Sequence, residues 1–448
     1  MTAGNQLRIS QCMIVKDEEQ NIERALSWGK EILWEQIVVD TGSTDRTVEL
    51  AEKAGAKVYS FLWTDDFAAA KNFALDKARG DWIAFLDADE YLTPQDARKI
   101  FQVLKGLPSG KFDGISMGCQ NLDEQGRIFS SGTLIRFFRN TPQLRYRRRI
   151  HEQLEAAGGR KLHIGDVTKE ISIFHTGYQN KVLTEKTKEG RNFRLIAKEL
   201  EDHPDSYEMM GYMGDEYFSN GDYGEAEKWY YKAIDHMPAA LDEYDQRSAY
   251  TFTKLLKRLM EKEGKNQEEI ERVYRQAVSK LPGEADFDYL VGRFFASEGQ
   301  TEKAADHLEA AVEKLNRYGC NNRALLLGGE LLEAYDLLVR CCYETGHKEK
   351  CTSYAVTYLK YNKYNMAVLA RLLKVLLPEH GMDSLTASSL DSQENRAILG
   401  FLSKIYDFSL LKDRLFLVKA AQMSERSGFA EYGLNRLFTV EEREQIGM

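Results

Sequence analysis

The chain has 448 residues, of which 43% are hydrophobic and 29% charged, and a formal net charge of −9 at pH 7. That length accommodates two or three cores, and the acidic balance argues against a surface built to neutralise nucleic-acid phosphates. No run approaches the roughly 20 consecutive apolar residues of a membrane span. The start, Met1-Thr-Ala-Gly-Asn-Gln-Leu-Arg8, lacks a basic segment followed by an apolar one, so no secretory signal is expected and the cytoplasm is the default compartment. Cysteines at 12, 119, 320, 341, 342 and 351 fall in predicted strand and helix interiors. Without the paired spacing of a zinc site, they read as reduced, buried thiols.

Taken in chain order, a first apolar run, Ile9–Val15, leads into Lys16-Asp-Glu-Glu-Gln-Asn21 and a helical stretch. A second, Gln36-Ile-Val-Val-Asp40, is followed by Thr41-Gly-Ser-Thr-Asp45, and a third is Lys57–Phe61. The fourth, Trp82–Leu86, ends at Asp87-Ala88-Asp89. Short apolar strands alternating with helix-length segments predict βαβ units and a parallel sheet, whose ligands lie beyond the carboxyl ends of the strands. Asp17, Glu18, Asp40 and Asp89 fall at that edge. No glycine-rich dinucleotide or P-loop fingerprint follows the first strand. Two carboxylates one residue apart suit a hard divalent cation that shares its shell with phosphates and water. A solvated turn is the plain alternative for Asp87 and Asp89, and Asx-turn or helix-cap hydrogen bonds are the plain alternatives for Asp40 and Asp45.

Four segments occur in order: Met13-Ile-Val-Lys-Asp-Glu-Glu19, Val39-Asp-Thr-Gly-Ser-Thr-Asp-Arg-Thr47, Asp66-Phe-Ala-Ala-Ala-Lys-Asn72 and Phe85-Leu-Asp-Ala-Asp-Glu90. Together they resemble the family 2 glycosyltransferases of the GT-A fold over about the first 180 residues. The resemblance implies an inverting enzyme that uses a nucleotide-diphosphate sugar, UDP foremost, with Mn²⁺ or Mg²⁺. It places Val15, Asp17 and Glu18 along the nucleoside, with Asp17 where the family usually has Asn. Asp40 would bind the base, and Gly42 and Ser43 would allow close backbone approach. Lys71 stands where Arg is frequent, keeping the charge but losing the planar fork. Asp89 would be a metal ligand, and Asp87, beside Ala88, would bind ribose or the metal through water.

Further on come Leu134-Ile-Arg-Phe-Phe-Arg139, Tyr146-Arg-Arg-Arg-Ile-His-Glu152 and Ile173-Phe-His-Thr-Gly-Tyr178. This set resembles a narrower branch with a helical-repeat tail, which includes the sublancin-type peptide S-glycosyltransferases. It adds Arg136 to the donor site and His175 to the metal shell. Inverting transfer needs a group to take the acceptor proton; Glu152 is the first choice, and His151 and Asp66 compete. An ion pair with Arg147, Arg148 or Arg149 is the alternative reading of Glu152. The Arg145–Arg149 cluster itself reads as contacts to diphosphate, carboxylates or an acidic acceptor segment rather than nucleic acid.

From Lys186 onward strand patterns give way to helical ones, which predicts two domains: a GT-A α/β catalytic domain over 1–180 and an all-α tetratricopeptide-like repeat domain over 181–448. Met213-Gly214, Tyr217, Gly221, Tyr223, Ala226, Tyr230, Ala233 and Pro238 match tetratricopeptide positions, and Gly292, Phe295, Gly299, Ala304, Leu308 and Ala311 repeat the pattern. Weaker copies end at Ala277 and Pro282 and surround Tyr343, Gly346 and Cys351. Tyr223, Trp229 and Tyr230 read as repeat core. Stacked helix pairs present a surface for a peptide or protein acceptor, or equally a homodimer or scaffold contact. The leading expectation is sugar transfer to Ser, Thr or Cys of a polypeptide. Its rivals are a saccharide or cell-envelope acceptor, and a non-catalytic scaffold carrying a nucleotide-sugar sensor.

Overall fold

The computed structural model describes residues 7–108, 110–176, 190–242, 245–319, 323–377 and 393–446. Tyr178, Cys320 and Lys186 lie outside these residues. The chain divides into two compact units, Met1–His236 and Met237–Met448.

In the first unit, β1 (Ile9–Val15), β2 (Glu35–Asp40), β3 (Lys57–Ser60) and β4 (Trp82–Phe85) are parallel, in spatial order β3-β2-β1-β4. β4 is buried at every residue and β1 at all but one, as expected of parallel strands covered on both faces. The crossovers carry α1 (Ile22–Ser27), α2 (Thr47–Lys53) and α3 (Phe67–Lys77). After β5 (Glu90–Leu92) and α4 (Pro94–Gly106), the strands β6 (Gly114–Leu122) and β7 (Ile128–Arg139) turn the sheet antiparallel. A small ladder of β8 (Leu144–Arg147) and β9 (Gln153–Ala156) stands apart. β10 (Ile164–Asp166) and β11 (Ser172–His175) then join β6 in parallel, and β11 also pairs antiparallel with β5. That last pairing sets His175 opposite Glu90 and, on its other side, beside Asn121.

Among the described residues, the last strand ends at His175 and the next helix begins at Arg191. The compact unit nevertheless runs on to His236 through α5 (Arg191–Asp202), α6 (Tyr207–Ser219) and α7 (Tyr223–His236). The reason is a shared core: Leu195, Ile196, Met209 and Met213 are buried with Ile150, and Trp63 and Phe67 pack against them.

α6 and α7 form a close hairpin. A Cβ on Gly214 would lie 2.5 Å from the Tyr230 ring, and that ring is fully buried while its hydroxyl donates to Asp215 at 2.8 Å. Tyr223 departs from expectation: it is 43% exposed, covering Phe218 at the hairpin end rather than filling the core.

The second unit is helical throughout its described residues. α8 (Gln246–Glu261) pairs with α9 (Gln267–Lys280), and α10 (Asp286–Ser297) with α11 (Thr301–Tyr318). The short α12 (Leu325–Gly329) precedes the pair α13 (Leu331–Glu344) and α14 (Lys348–Tyr361), and five more helices reach Ile446. Gly292 repeats the role of Gly214, since a Cβ there would lie 2.8 Å from Leu308. The five described cysteines are buried and free. No helix among the described residues is long and apolar enough to cross a membrane.

Candidate active site

The carboxyl ends of β1, β2 and β4 gather most of the expected residues. The two loops leaving β1 and β2 are stitched together: Asp17 N–H donates to Ser43 Oγ at 2.9 Å, and Thr44 N–H returns a bond to Asp17 Oδ1 at 2.7 Å. Glu18 N–H donates to Thr47 Oγ1 at 2.7 Å. Asp17 has φ 53°, in the left-handed region that Asp tolerates better than most residues. Gly42, at φ 109°, needs the freedom of glycine. Asp40 accepts the N–H groups of Gly42 and Ser43 at 3.2 and 3.0 Å, so it makes the Asx turn that its local sequence allowed. Asp45 likewise serves the start of α2, accepting the Thr47 N–H at 2.9 Å. The Val15 carbonyl takes the Thr41 N–H at 2.9 Å. Ala88 turns into the core with Val15 and Ile22.

Asp87 and Asp89 have separate surroundings. Asp87 lies 3.5 Å from Lys71 Nζ and 2.9 Å from Arg136 Nη2. Lys71 also pairs with Glu152 at 2.7 Å, and Arg136 with Glu90 at 2.7 Å. The result is a run of alternating charges, Glu152, Lys71, Asp87, Arg136, Glu90. Burial by itself would push the Asp87 carboxyl up, but the Lys71 and Arg136 cations outweigh it and hold the carboxyl well below the usual range. Burial would likewise lower Lys71, and the Asp87 and Glu152 charges reverse that. Glu90 is the end of the run; burial there prevails over Arg136 and raises its carboxyl above the ordinary value.

Lys71 is therefore not an open phosphate grip. It is 2% exposed, with the rings of Phe85 and Tyr146 at 5.0 and 5.2 Å from Nζ. Its helix is fixed on that side by Asn72, whose amide exchanges two hydrogen bonds of 2.9 Å with the Tyr146 backbone.

Asp89 faces His175, whose Nε2 is 3.4 Å from Asp89 Oδ2 while Nδ1 is 2.9 Å from Asn121 Oδ1. Burial disfavours the imidazolium, yet the Asp89 hydrogen bond and charge outweigh it and raise the His175 pKa above the usual histidine value. One carboxylate oxygen and one imidazole nitrogen, with an amide orienting the far side of the ring, could supply two of the six positions of an octahedral Mn²⁺ or Mg²⁺ shell. Asp87 does not join them as a third ligand, its oxygens being taken by Lys71 and Arg136. Among the described residues no cluster of three or more such side chains is disposed to hold a metal.

Of the three candidate bases, Asp66 caps α3 by accepting the Ala69 N–H at 2.8 Å. His151 stacks on Tyr212 of α6 with ring centroids 3.5 Å apart. Glu152 pairs with Lys71 rather than with the neighbouring arginines. Three of the cluster's arginines meet other carboxylates: Arg145 bonds Asp76, Arg148 bonds Glu208 and Arg149 bonds Asp202. Asn121 and Tyr212 escaped the sequence reading, and Glu90 and Tyr146 entered it only as members of motifs, without a site role. Only Glu90, directly after Asp89, carried any local signal.

The mixed α/β sheet with its acidic strand-end site resembles domains of the GT-A fold. Residues 10–163 match the family model Glycosyl transferase family 2. A TPR repeat-containing protein of Synechococcus elongatus is 32% identical over 228 residues, covering 50% of this chain and 55% of the relative. The SPbeta prophage-derived glycosyltransferase SunS of Bacillus subtilis is 25% identical over 206 residues, covering 46% of this chain and 48% of SunS. The chain thus spans about half the length of these curated relatives. Among solved structures, S. aureus TarS 1–349 in complex with UDP-GlcNAc aligns at 15% identity with a TM-score of 0.33, over 62% of this chain and 90% of that one.

Proposed function

We propose that the chain is a metal-dependent inverting glycosyltransferase that moves a hexose or N-acetylhexosamine from a UDP-sugar to a Ser, Thr or Cys side chain of a peptide or protein. The observation that carries this reading is the meeting of the Asp89–His175 pair with the Glu152–Lys71–Asp87–Arg136 run at one edge of the sheet. The loops at Val15–Glu18 and Asp40–Ser43 line the nucleoside side. Asp89 and His175 would hold the divalent cation, which when bound neutralises charge on the departing diphosphate. Glu152, 2.7 Å from Lys71 Nζ, is the carboxylate that takes the acceptor proton as general base. Asp87 is held as an anion between Lys71 and Arg136 and orients the donor. Glycosyl transfer is favoured by the similarity to SunS, which is named a glycosyltransferase, and a polypeptide acceptor by the helical pairs that follow the catalytic domain.

The test is a panel of UDP, GDP and dTDP sugars with Mn²⁺ or Mg²⁺, read by thermal shift and nucleotide release. A ligand that binds only the folded state stabilises it by mass action, so a metal-dependent response to UDP-sugars is expected. A folded protein that responds to none of them defeats the proposal.

A further inference from the structure

The segment between β8 and β9 delivers Glu152 to Lys71, and two of its residues have left-handed backbone, Arg148 at φ 75° and His151 at φ 51°. Residues other than glycine hold such conformations only where their surroundings enforce them. Here the surroundings are α5 and α6. The Arg149 N–H donates to Glu199 Oε2 at 2.8 Å, and Glu199 is a carboxylate only 5% exposed. Arg149 also reaches Asp202 at 2.7 Å, and Arg148 bonds Glu208. Ile150 is buried among Leu195, Ile196, Met209 and Met213. The His151 ring lies almost flat on Tyr212, at an interplanar angle of 7°. On the sheet side, the Arg149 carbonyl accepts the Phe67 N–H at 2.9 Å, tying the same loop to the start of α3.

We propose that α5 and α6 belong to the catalytic apparatus, with Tyr212 and Glu199 as positioning residues that hold Arg148–Glu152 in the conformation that presents Glu152. This rests on the reading of Glu152 as the base. Every residue of the loop from Arg148 to His151 touches one of these two helices, whereas Glu152 touches Lys71 alone among the contacts that define the site. The helices thus fix the loop and leave the carboxylate directed at the sheet edge. Small displacements of a reacting group cost turnover far more than binding, so loss of the support appears in kcat and not in donor KM.

The experiment uses the full chain with Tyr212→Ala, Tyr212→Phe and Glu199→Gln, and Tyr223→Ala as an exposed helix control. Two readouts are taken: amide hydrogen exchange across residues 147–153, and release of UDP from UDP-glucose and UDP-N-acetylglucosamine with Mn²⁺. Tyr212→Ala is expected to raise exchange in the loop about tenfold or more while the β1 and β4 amides stay protected, because protection reports local opening. Its kcat is expected to fall about 100-fold with donor KM within about twofold, a cost typical of misplacement near 1 Å. Tyr212→Phe keeps the stacking ring and is expected to recover most of the loop protection and kcat that Tyr212→Ala loses. Loop exchange and kcat unchanged in Tyr212→Ala would overturn the proposal. If Tyr212→Ala does not fold, Glu199→Gln decides by the same two readouts. A wild-type chain that turns over no donor defeats the glycosyltransfer reading; loop exchange alone then supports or overturns the positioning role.

Discussion

Lys71 Nζ lies 2.7 Å from Glu152 Oε1 and 3.5 Å from Asp87 Oδ1, so one buried ammonium joins the strand-end acidic motif to the carboxylate after β8. Removing a partner from a buried ion pair strands an uncompensated charge, at a cost of about 3–5 kcal/mol. Lys71→Met is therefore expected to lower the unfolding free energy by about that amount. Adding Glu152→Gln relieves one stranded carboxylate, so the double variant should be more stable than the sum of the two single effects predicts, by about 0.5–3 kcal/mol of coupling. Urea unfolding of the four proteins measures the cycle. Additive single effects would show that the ammonium and carboxylate do not interact in solution.

Glu152→Gln alone separates base from binder. General base catalysis contributes about 10²- to 10⁴-fold, and Gln keeps the size of the side chain while losing the acceptor strength. Turnover should fall by that range while thermal stabilisation by UDP-sugar with Mn²⁺ persists. Unchanged turnover would transfer the role to His151, since Asp66 already spends an oxygen on capping α3.

Asp89→Asn and His175→Ala address the cation. Both should remove the metal dependence of donor-induced stabilisation and most turnover, while Asn121→Ala, which releases the far nitrogen of His175 and a hydrogen bond to Ser130 Oγ, should weaken metal affinity by about 10- to 100-fold. Isothermal titration with Mn²⁺ and UDP discriminates the three. Equal affinity in wild type and Asp89→Asn would remove the Asp89–His175 pair from the metal reading.

How much of this was legible in the sequence depends on the range of the interaction. The four parallel strands were readable because burial on both faces makes their apolar runs nearly continuous, and Asp87 and Asp89 were readable because they follow such a run directly. The hairpin contacts Gly214–Tyr230 and Gly292–Leu308 were readable as well, since each glycine precedes its partner by the same helical spacing. The approach of His175 to Asp89 was expected only through family resemblance; physically it depends on β11 inserting between β6 and β5, a pairing no local pattern encodes. The Lys71–Glu152 pair was hidden by three arginines nearer in sequence, of which Arg148 turns to Glu208 and Arg149 to Asp202. The compact unit passes position 180 for a comparable reason: the apolar faces of α5 and α6 are ordinary helix stripes, and nothing in them says that Ile150 is what they cover.

Asp113 provides a pH signature outside the site. Two hydrogen bonds from Arg160, at 2.8 and 2.9 Å, and one from the His163 N–H at 2.7 Å converge on it. The Arg160 side chain foremost holds its carboxyl at about 2, against the burial that opposes ionisation. A depressed carboxyl stabilises the fold fully above its unfolded value near 3.8 and loses that contribution as pH falls towards 2. Asp113→Asn should therefore lower Tm at pH 7 and flatten the decline of Tm between about pH 4 and pH 2. Parallel Tm-against-pH curves for the two proteins would sink the assignment.

Truncation tests where the catalytic unit ends. A chain stopped after residue 180 lacks Glu199, Glu208 and Tyr212, and so leaves Arg148, Arg149 and His151 without their helix partners. It also exposes Ile150, which the complete unit buries. A chain stopped after His236 keeps all of these and coincides with the limit of the first compact unit. The longer fragment is expected to retain metal-dependent release of UDP from a UDP-sugar within about tenfold of the full chain, and the shorter one to lose it by about 100-fold or more, as for a displaced catalytic group. With a polypeptide acceptor present, the longer fragment should lose transfer more than donor hydrolysis, because stacked helical pairs are the surface on which a peptide would bind. Equal loss of transfer and hydrolysis in that fragment would assign Met237–Met448 a purely structural role and remove the helical pairs from acceptor recognition.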